Sequence, residues 1–117
     1  MITRISDASY NTVGYIHEKV IEDASSSPIG YIEGGAILDE HKNTLGYLVF
    51  GRIEDMHHDP LAYMEGDTLS DATRTPIAYI YSERIEDSLH NTVGYIHNRC
   101  DKSFIAVLIV FGFISLI

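Results

Sequence analysis

The chain has 117 residues, of which 45% are hydrophobic, and it carries 17 acidic against 8 basic side chains for a net charge of −9. A chain of this length forms one small domain with its own core, and its single cysteine, Cys100, excludes a disulfide scaffold. The acidic balance argues against nucleic acid as a partner, because phosphate contacts require a basic surface.

A period of 16 residues runs through the chain. Six of the eight tyrosines keep this step, at Tyr15, Tyr31, Tyr47, Tyr63, Tyr79 and Tyr95. Six aspartates keep it at Asp7, Asp23, Asp39, Asp55, Asp71 and Asp87. A fixed period of this kind indicates a repeat architecture. We therefore describe residues 1–117 as a single repeat domain with units 5–20, 21–36, 37–52, 53–68, 69–84 and 85–100, followed by a hydrophobic segment over 104–117.

Each unit begins with a short apolar segment and continues, after a turn, into a longer one. The first segment centres on an aliphatic residue, such as Ile5, just before the aspartate. The second, such as residues 12–16, is β-branched and aromatic and is bounded by polar turn residues, which predicts a strand. Pro28, Pro60 and Pro76 share the column at its start, where no ladder N–H is needed. Each unit is thus predicted to be strand, turn, strand, turn.

The longer strand carries a small residue between two large ones. Because side chains alternate along a strand, we expect the aliphatic residue before the small one to share a face with the tyrosine. Both faces are then apolar, which predicts a strand covered on both sides. In successive units the small residue is Gly14, Gly30, Gly46, Ala62, Ala78 and Gly94. We interpret this column as a place of close approach by a neighbouring backbone or side chain, such as an adjacent tyrosine, rather than a ligand cleft.

The aspartate column favours turn formation over ligand binding. Aspartate after a short strand forms Asx-turns, in which the carboxylate accepts nearby backbone N–H groups. The best metal candidate is the group Asp55, His57, His58 and Asp59, but adjacent histidines on a turn seldom face one ion. The sequence contains no cofactor motif and no catalytic constellation, so we expect no cofactor and no enzymatic activity.

The last segment, residues 104–117, has twelve apolar residues among fourteen and no charge. As a helix it would rise about 21 Å, short of the roughly 30 Å hydrocarbon core of a bilayer. Its content of Ile, Val and Phe favours a strand or strand pair buried on both faces. We predict that it packs as a plug against the repeats. Membrane association through residues 104–117 and a subunit interface are the alternatives.

The run from Ile5 to Ile16, echoed from Ile85 to Ile96, resembles uncharacterised small gut-bacterial proteins with tandem 16-residue Asp…Gly-Tyr-Ile repeats and an apolar C-terminal run. The resemblance covers the whole chain, although Ala62 and Ala78 depart from the glycine. It implies a repeat architecture and no particular activity.

The predicted fold is all-β. Six tandem 16-residue strand-turn-strand repeats form an antiparallel meander that closes toward a barrel or ring, with the C-terminal segment packed inside. The alternative is a two-sheet parallel β-solenoid, which would stack the aspartates about 4.8 Å apart without compensating bases.

The sequence predicts a non-catalytic structural or protein-interaction protein that is a homo-oligomer or binds a protein partner. The alternatives are a repetitive module that binds glycan or divalent cations, and a membrane-associated factor held by the C-terminal segment. Because no leader sequence precedes the repeats, the default compartment is the cytoplasm.

Overall fold

The computed structural model describes residues 2–116. Within this range the chain forms strands joined by turns, and one helix follows them. The strands are β1 Ile2–Asp7, β2 Thr12–His17, β3 Val20–Glu22, β4 Pro28–Glu33, β5 Ala36–Asp39, β6 Thr44–Val49, β7 Arg52–Asp55, β8 Pro60–Glu65, β9 Thr68–Asp71, β10 Pro76–Ile80, β11 Arg84–Asp87 and β12 Thr92–His97, and the helix is α1 Lys102–Val110. Each repeat contributes two strands, as predicted, and the first of the two is the shorter except in the first repeat, where both have six residues. Each proline begins a strand, as predicted.

The sheet closes on itself. Every strand pairs antiparallel with its neighbour in the chain, and β12 pairs with β1 to complete a barrel. The pairing of β12 with β1 has the same register as the pairing between consecutive repeats, since Ile5 lies opposite Ile96 in the same way that Ile21 lies opposite Ile16. The antiparallel meander is therefore confirmed, and the parallel solenoid is wrong. Because the sheet is closed, each strand within residues 2–116 is paired with a neighbour on both sides.

A β-bulge recurs in every unit, next to the small residue. In the first unit Ile5 lies opposite Gly14 and Ser6 lies opposite Thr12, which leaves Val13 as the extra residue. The side chain of Val13 packs against the interior core. The equivalent residues Ile29, Leu45, Ile77 and Val93 do the same. The prediction that this column shares a face with the tyrosines is wrong at these five positions, because the bulge breaks the alternation of side chains.

Two aliphatic columns line the interior of the barrel. The first is fully buried, with Ile5, Ile21, Ile37, Ile53, Leu69 and Ile85 each 0% exposed. The second, which follows the tyrosine, is Ile16, Ile32, Leu48, Met64, Ile80 and Ile96, and all but the half-buried Leu48 are buried. Burying a side chain of this size contributes roughly 2 kcal/mol relative to exposing it. The repeated columns therefore supply much of the stability of the fold.

The C-terminal segment fills the barrel, as predicted, but it begins as a helix and the predicted strand is wrong. Residues 105–108 of α1 are 0% exposed. Asp101 caps the helix by accepting the Ser103 N–H at 2.8 Å. A closed barrel offers no free edge to an inserted strand, so the segment must satisfy its own backbone groups, which a helix does. Among residues 2–116, no helix has the length and apolar character needed to span a membrane.

The path of the plug explains the pattern of glycine and alanine in the small column. Helix α1 packs on β8 and β10, the strands that contain Ala62 and Ala78. The irregular segment that follows the helix passes the other four units. Phe111, Phe113, Ile114 and Leu116 lie against Gly46, Gly30, Gly14 and Gly94, respectively. The small column is therefore a place of close approach, as predicted. The neighbouring atoms belong to tail side chains and to strand carbonyls, and not to an adjacent tyrosine.

Candidate functional site

The outer wall of the barrel carries the tyrosine column. Each tyrosine is half-buried. Tyr15 lies between Arg4 on β1 and Glu22 on β3. Tyr47 lies opposite Glu54 on β7 in the register that Tyr15 has with Glu22. The wall therefore presents aromatic rings at regular intervals, several of them bordered by charged side chains.

The third residue after each aspartate has a left-handed backbone conformation. We call this residue the turn cap. Its φ angle is 67° at Tyr10, 64° at Ser26, 67° at Lys42, 66° at His58, 67° at Arg74 and 66° at His90. Such angles are uncommon and unfavourable for residues other than glycine. At every turn cap except Ser26, this conformation places the side chain over the tyrosine of the preceding unit.

Five turn caps are aromatic or cationic, and each one lies over a tyrosine ring. The ring centroids are 4.2 Å apart for His58 and Tyr47, 4.0 Å for His90 and Tyr79, and 4.5 Å for Tyr10 and Tyr95. Lys42 Nζ lies 3.8 Å from the centroid of Tyr31, and the guanidinium carbon of Arg74 lies 4.0 Å from that of Tyr63. Because Tyr10 belongs to the first unit and Tyr95 to the sixth, this contact continues across the closure of the barrel.

At the two histidine turn caps, a buried glutamate joins the contact and forms a cluster. Glu54 is 2% exposed and is hydrogen-bonded to His58 Nδ1 at 2.8 Å and to Arg52 Nε at 2.5 Å. The equivalent cluster consists of Glu86, His90 and Arg84, with distances of 2.9 and 2.8 Å. The histidine hydrogen bond, assisted by the arginine, holds the pKa of each glutamate below its usual value. Both carboxylates are therefore ionised at neutral pH and bonded within their own clusters.

The aspartate column builds the turns that carry the caps. Asp7 Oδ1 accepts the N–H groups of Ser9 and Asn11, both at 2.9 Å. The same pair of bonds recurs at Asp23, Asp39, Asp55, Asp71 and Asp87. The N–H four residues on is the main cause that lowers the pKa of Asp7, Asp39 and Asp87, and the Thr73 hydroxyl is the main cause at Asp71. This geometry is that of an Asx-turn.

The metal candidates Asp55, His57, His58 and Asp59 do not converge on one point. Asp55 Oδ1 accepts the N–H groups of His57 and Asp59. His58 instead stacks on Tyr47 and bonds Glu54. Across residues 2–116, no group of three or more His, Cys, Asp or Glu side chains is arranged to hold a metal ion.

The β6–β7 hairpin exposes a phenylalanine at its tip. Phe50 and Gly51 form the loop, and both have positive φ angles, 50° and 80°. Two-residue loops of this kind prefer Asn-Gly. The relative exposure of Phe50 is 105%, so its ring lies entirely in solvent. A surface cavity of about 310 Å³, lined in part by Phe50, Arg52, Tyr63 and Arg74, adjoins it.

Sequence reasoning alone misses both the turn caps and Phe50. A signal for the caps is present, because their column holds Tyr10, Lys42, His58, Arg74 and His90, all of which can stack on tyrosine. From the sequence these residues count as solvated turn positions. Their contact with the preceding unit depends on the left-handed backbone and on the pairing of the strands. For Phe50 the signal is a Phe-Gly loop where Asn-Gly is preferred.

A family model described as 5-fold beta-flower protein matches residues 2–81. The match spans the first four units and most of the fifth, whereas this barrel closes with six. No curated protein and no solved structure matches the chain. Because the family model covers more than half of its residues, the chain belongs to the 5-fold beta-flower protein family.

Proposed function

We propose that this protein is a non-catalytic interaction protein that pairs with a second copy of itself through the β6–β7 hairpin. Membership of a repeat β-protein family supports the non-catalytic role. So does the engagement of the buried glutamates within their own clusters. The observation that carries the proposal is Phe50, a large apolar side chain held in solvent in a left-handed conformation.

Phe50 is unfavourable for the isolated chain in two respects. A left-handed backbone costs a residue such as phenylalanine roughly 1 kcal/mol or more, a cost that glycine avoids. An exposed phenylalanine also forgoes about 2 kcal/mol of burial free energy. Asparagine at this position would suit the hairpin better. A strained and exposed aromatic residue of this kind favours a role in contact with another molecule.

The surroundings of Phe50 fit a second copy of the chain. The cavity beside it includes the Tyr63 ring and two arginines. Arg52 is paired with Glu54 and Arg74 with Glu65, so the patch is close to neutral although the chain has a net charge of −9. A two-fold axis beside the hairpin would place each Phe50 in the cavity of the other copy, because one patch supplies both the ring and the cavity.

The test compares Phe50→Asn with the matched control Leu89→Asn. Leu89 is 79% exposed and lies in the turn of the sixth unit, so the control makes a similar change in polarity away from the hairpin. Sedimentation velocity from low micromolar to millimolar concentration should show dimers for the parent and for Leu89→Asn. Phe50→Asn should remain monomeric.

The same variants separate an interaction role from a structural one. Because asparagine tolerates left-handed backbone, Phe50→Asn should unfold at the same or a higher urea concentration than the parent when both are measured at a protein concentration low enough that the parent is monomeric, with a gain of up to about 1 kcal/mol. A parent chain that is monomeric at millimolar concentration contradicts the proposal. So does a Phe50→Asn chain that dimerises like the parent.

The alternative functions have less support. For the glycan or divalent-cation module, the repeated aspartates already accept N–H groups of their own turns. For the membrane-associated factor, residues 105–108 pack inside the barrel. We also propose that the chain is related to the gut-bacterial Gly-Tyr-Ile repeat proteins and that it is located in the cytoplasm. Neither proposal implies a particular activity.

A further inference from the structure

The tyrosine of the first unit lacks the cover that the others have. The turn cap in position to cover Tyr15 is Ser26 of the second unit, which has no ring and no charge. Tyr15 lies directly opposite Glu22, as Tyr47 lies opposite Glu54. Within residues 2–116, no aromatic or cationic side chain stacks on Tyr15, and no side chain is hydrogen-bonded to or ion-paired with Glu22.

The cluster at Glu54 shows which groups Glu22 lacks. Glu54 bonds an arginine two residues before it and a histidine turn cap four residues after it. Around Glu22 the same two positions hold Val20 and Ser26. Glu22 is accordingly half-buried, whereas Glu54 is 2% exposed. The barrel wall therefore presents an uncovered aromatic ring beside an unpaired carboxylate.

We propose that Tyr15 and Glu22 form a binding site for an external guanidinium or ammonium group. Its source is an arginine or lysine side chain of a protein partner, or a small organic cation. The negative face of the Tyr15 ring and the Glu22 carboxylate both attract such a group. The same kind of cation–π contact occurs within the chain, where Lys42 lies over Tyr31 and Arg74 lies over Tyr63.

Arg4 is the charged residue on the other side of Tyr15, and its position is compatible with a bound cation. Arg4 lies opposite Tyr15 on β1 and donates a hydrogen bond to the Thr12 hydroxyl at 2.9 Å. Tyr63 has the equivalent neighbour, Arg52, and its ring nevertheless carries Arg74. At Tyr63 an arginine in this position therefore does not prevent a cation from lying over the ring, although the charge of Arg52 is paired with Glu54 and Arg4 is hydrogen-bonded to a neutral hydroxyl.

The test is an NMR titration of isotope-labelled full chain with ethylguanidinium and, separately, with the peptide Gly-Gly-Arg-Gly-Gly. Both probes should cause saturable shifts of the Tyr15 ring and Glu22 side-chain signals. Tighter binding of the peptide would identify a protein side chain as the source of the cation. Equal or tighter binding of ethylguanidinium would identify a small molecule.

Two variants close the site in different ways. Ser26→His rebuilds the arrangement of His58, Tyr47 and Glu54 at a position whose backbone already has φ 64°. Glu22→Gln removes the carboxylate charge. Each change should weaken binding about tenfold or more, which corresponds to roughly 1.4 kcal/mol. Circular dichroism verifies that each variant is folded.

A gain-of-site variant completes the test. Arg52→Val combined with His58→Ser gives Glu54 the residues that Glu22 has two positions before it and four positions after it, while Tyr47 keeps Ala36 opposite it where Tyr15 has Arg4. This double variant should add a second set of saturable shifts, at Tyr47. The proposal is overturned if the Tyr15 signals of the parent do not respond, if Ser26→His binds with unchanged affinity, or if the folded double variant shows no response at Tyr47. None of these outcomes depends on Phe50, so the proposed pairing of two copies is tested separately.

Discussion

Substitution of Gly46 by alanine tests the contact between the barrel wall and the plug. A Cβ atom added at Gly46 would lie 2.1 Å from the Glu54 carbonyl oxygen and 2.7 Å from Phe111 Cζ. Real Cβ atoms essentially never approach other atoms so closely. The Phe111 ring can rotate, but the carbonyl belongs to a paired strand of a closed barrel. The alanine variant must therefore displace backbone.

The expected cost follows from the severity of this overlap. Overpacking of a core costs about 1–3 kcal/mol, and displacement of backbone falls at the upper end, so we expect Gly46→Ala to lose about 3 kcal/mol of unfolding free energy. For a chain of this size that loss lowers the melting temperature by roughly 12 °C.

Gly14→Ala provides a matched comparison in the same column. There the nearest atoms to an added Cβ are the Glu22 carbonyl oxygen at 3.0 Å and Ile114 Cγ2 at 3.3 Å. The small shift that these distances require is opposed by a gain of about 0.4–1 kcal/mol, because alanine restricts the unfolded chain more than glycine does. We therefore expect the unfolding free energy of Gly14→Ala to stay within about 1 kcal/mol of the parent value.

Urea unfolding followed by circular dichroism measures both variants, and unchanged m-values verify that the comparison is two-state. Ala62 and Ala78 show that alanine fits this column where the neighbour is helix α1. Equal unfolding midpoints for Gly46→Ala and Gly14→Ala would refute the reasoning. The cost would then come from the strand conformation shared by the column and not from the contacts that differ along it.

Two further predictions concern ionisable groups. The pKa values of Glu54 and Glu86 are lowered mainly by His58 and His90, so their contribution to stability is present above the ordinary value of 4.5 and is lost as the pH falls through the lower folded-state values. The urea concentration at the unfolding midpoint should therefore decrease when the pH is lowered from neutral to about 3. The decrease should be smaller in a chain with His58 and His90 changed to serine. An equal decrease in that chain would contradict the contribution of the two histidine–glutamate pairs. Burial raises the pKa of Cys100 to about 11 from 9.0, so at pH about 8 its thiolate fraction is about 100-fold lower than that of an unperturbed thiol. Iodoacetamide should modify the folded chain much more slowly than the urea-unfolded chain, and equal rates would disprove the protection.

The strands could be predicted because the chemistry that sets them is local. Pro28 begins β4, and Asp7 closes its turn through bonds to residues two and four positions on. Units of one length with no insertion between them then favour a regular meander. The bulge at Val13 could not be predicted in this way, because it depends on how β1 and β2 pair and not on the residues of one strand.

The candidate sites could be predicted only in part. The tyrosine and aspartate columns are visible in the sequence, but the cover of Tyr31 by Lys42 joins residues of different units. It requires both the left-handed backbone at Lys42 and the pairing of β4 with β5. The open ring of Tyr15 becomes apparent only when the other covered rings are known.

The sequence by itself determined the period, the strands and the Asx-turns of the repeats, and it favoured an antiparallel ring over a parallel solenoid. Only the tertiary structure decided the form of residues 104–116, where β propensity favours a strand. Inside a closed barrel every strand edge is already paired, so the inserted chain must satisfy its own backbone and begins as a helix. That helix covers only some of the units. The symmetric ring therefore has alanine at residues 62 and 78, beneath the helix, and glycine where the tail side chains press on the wall.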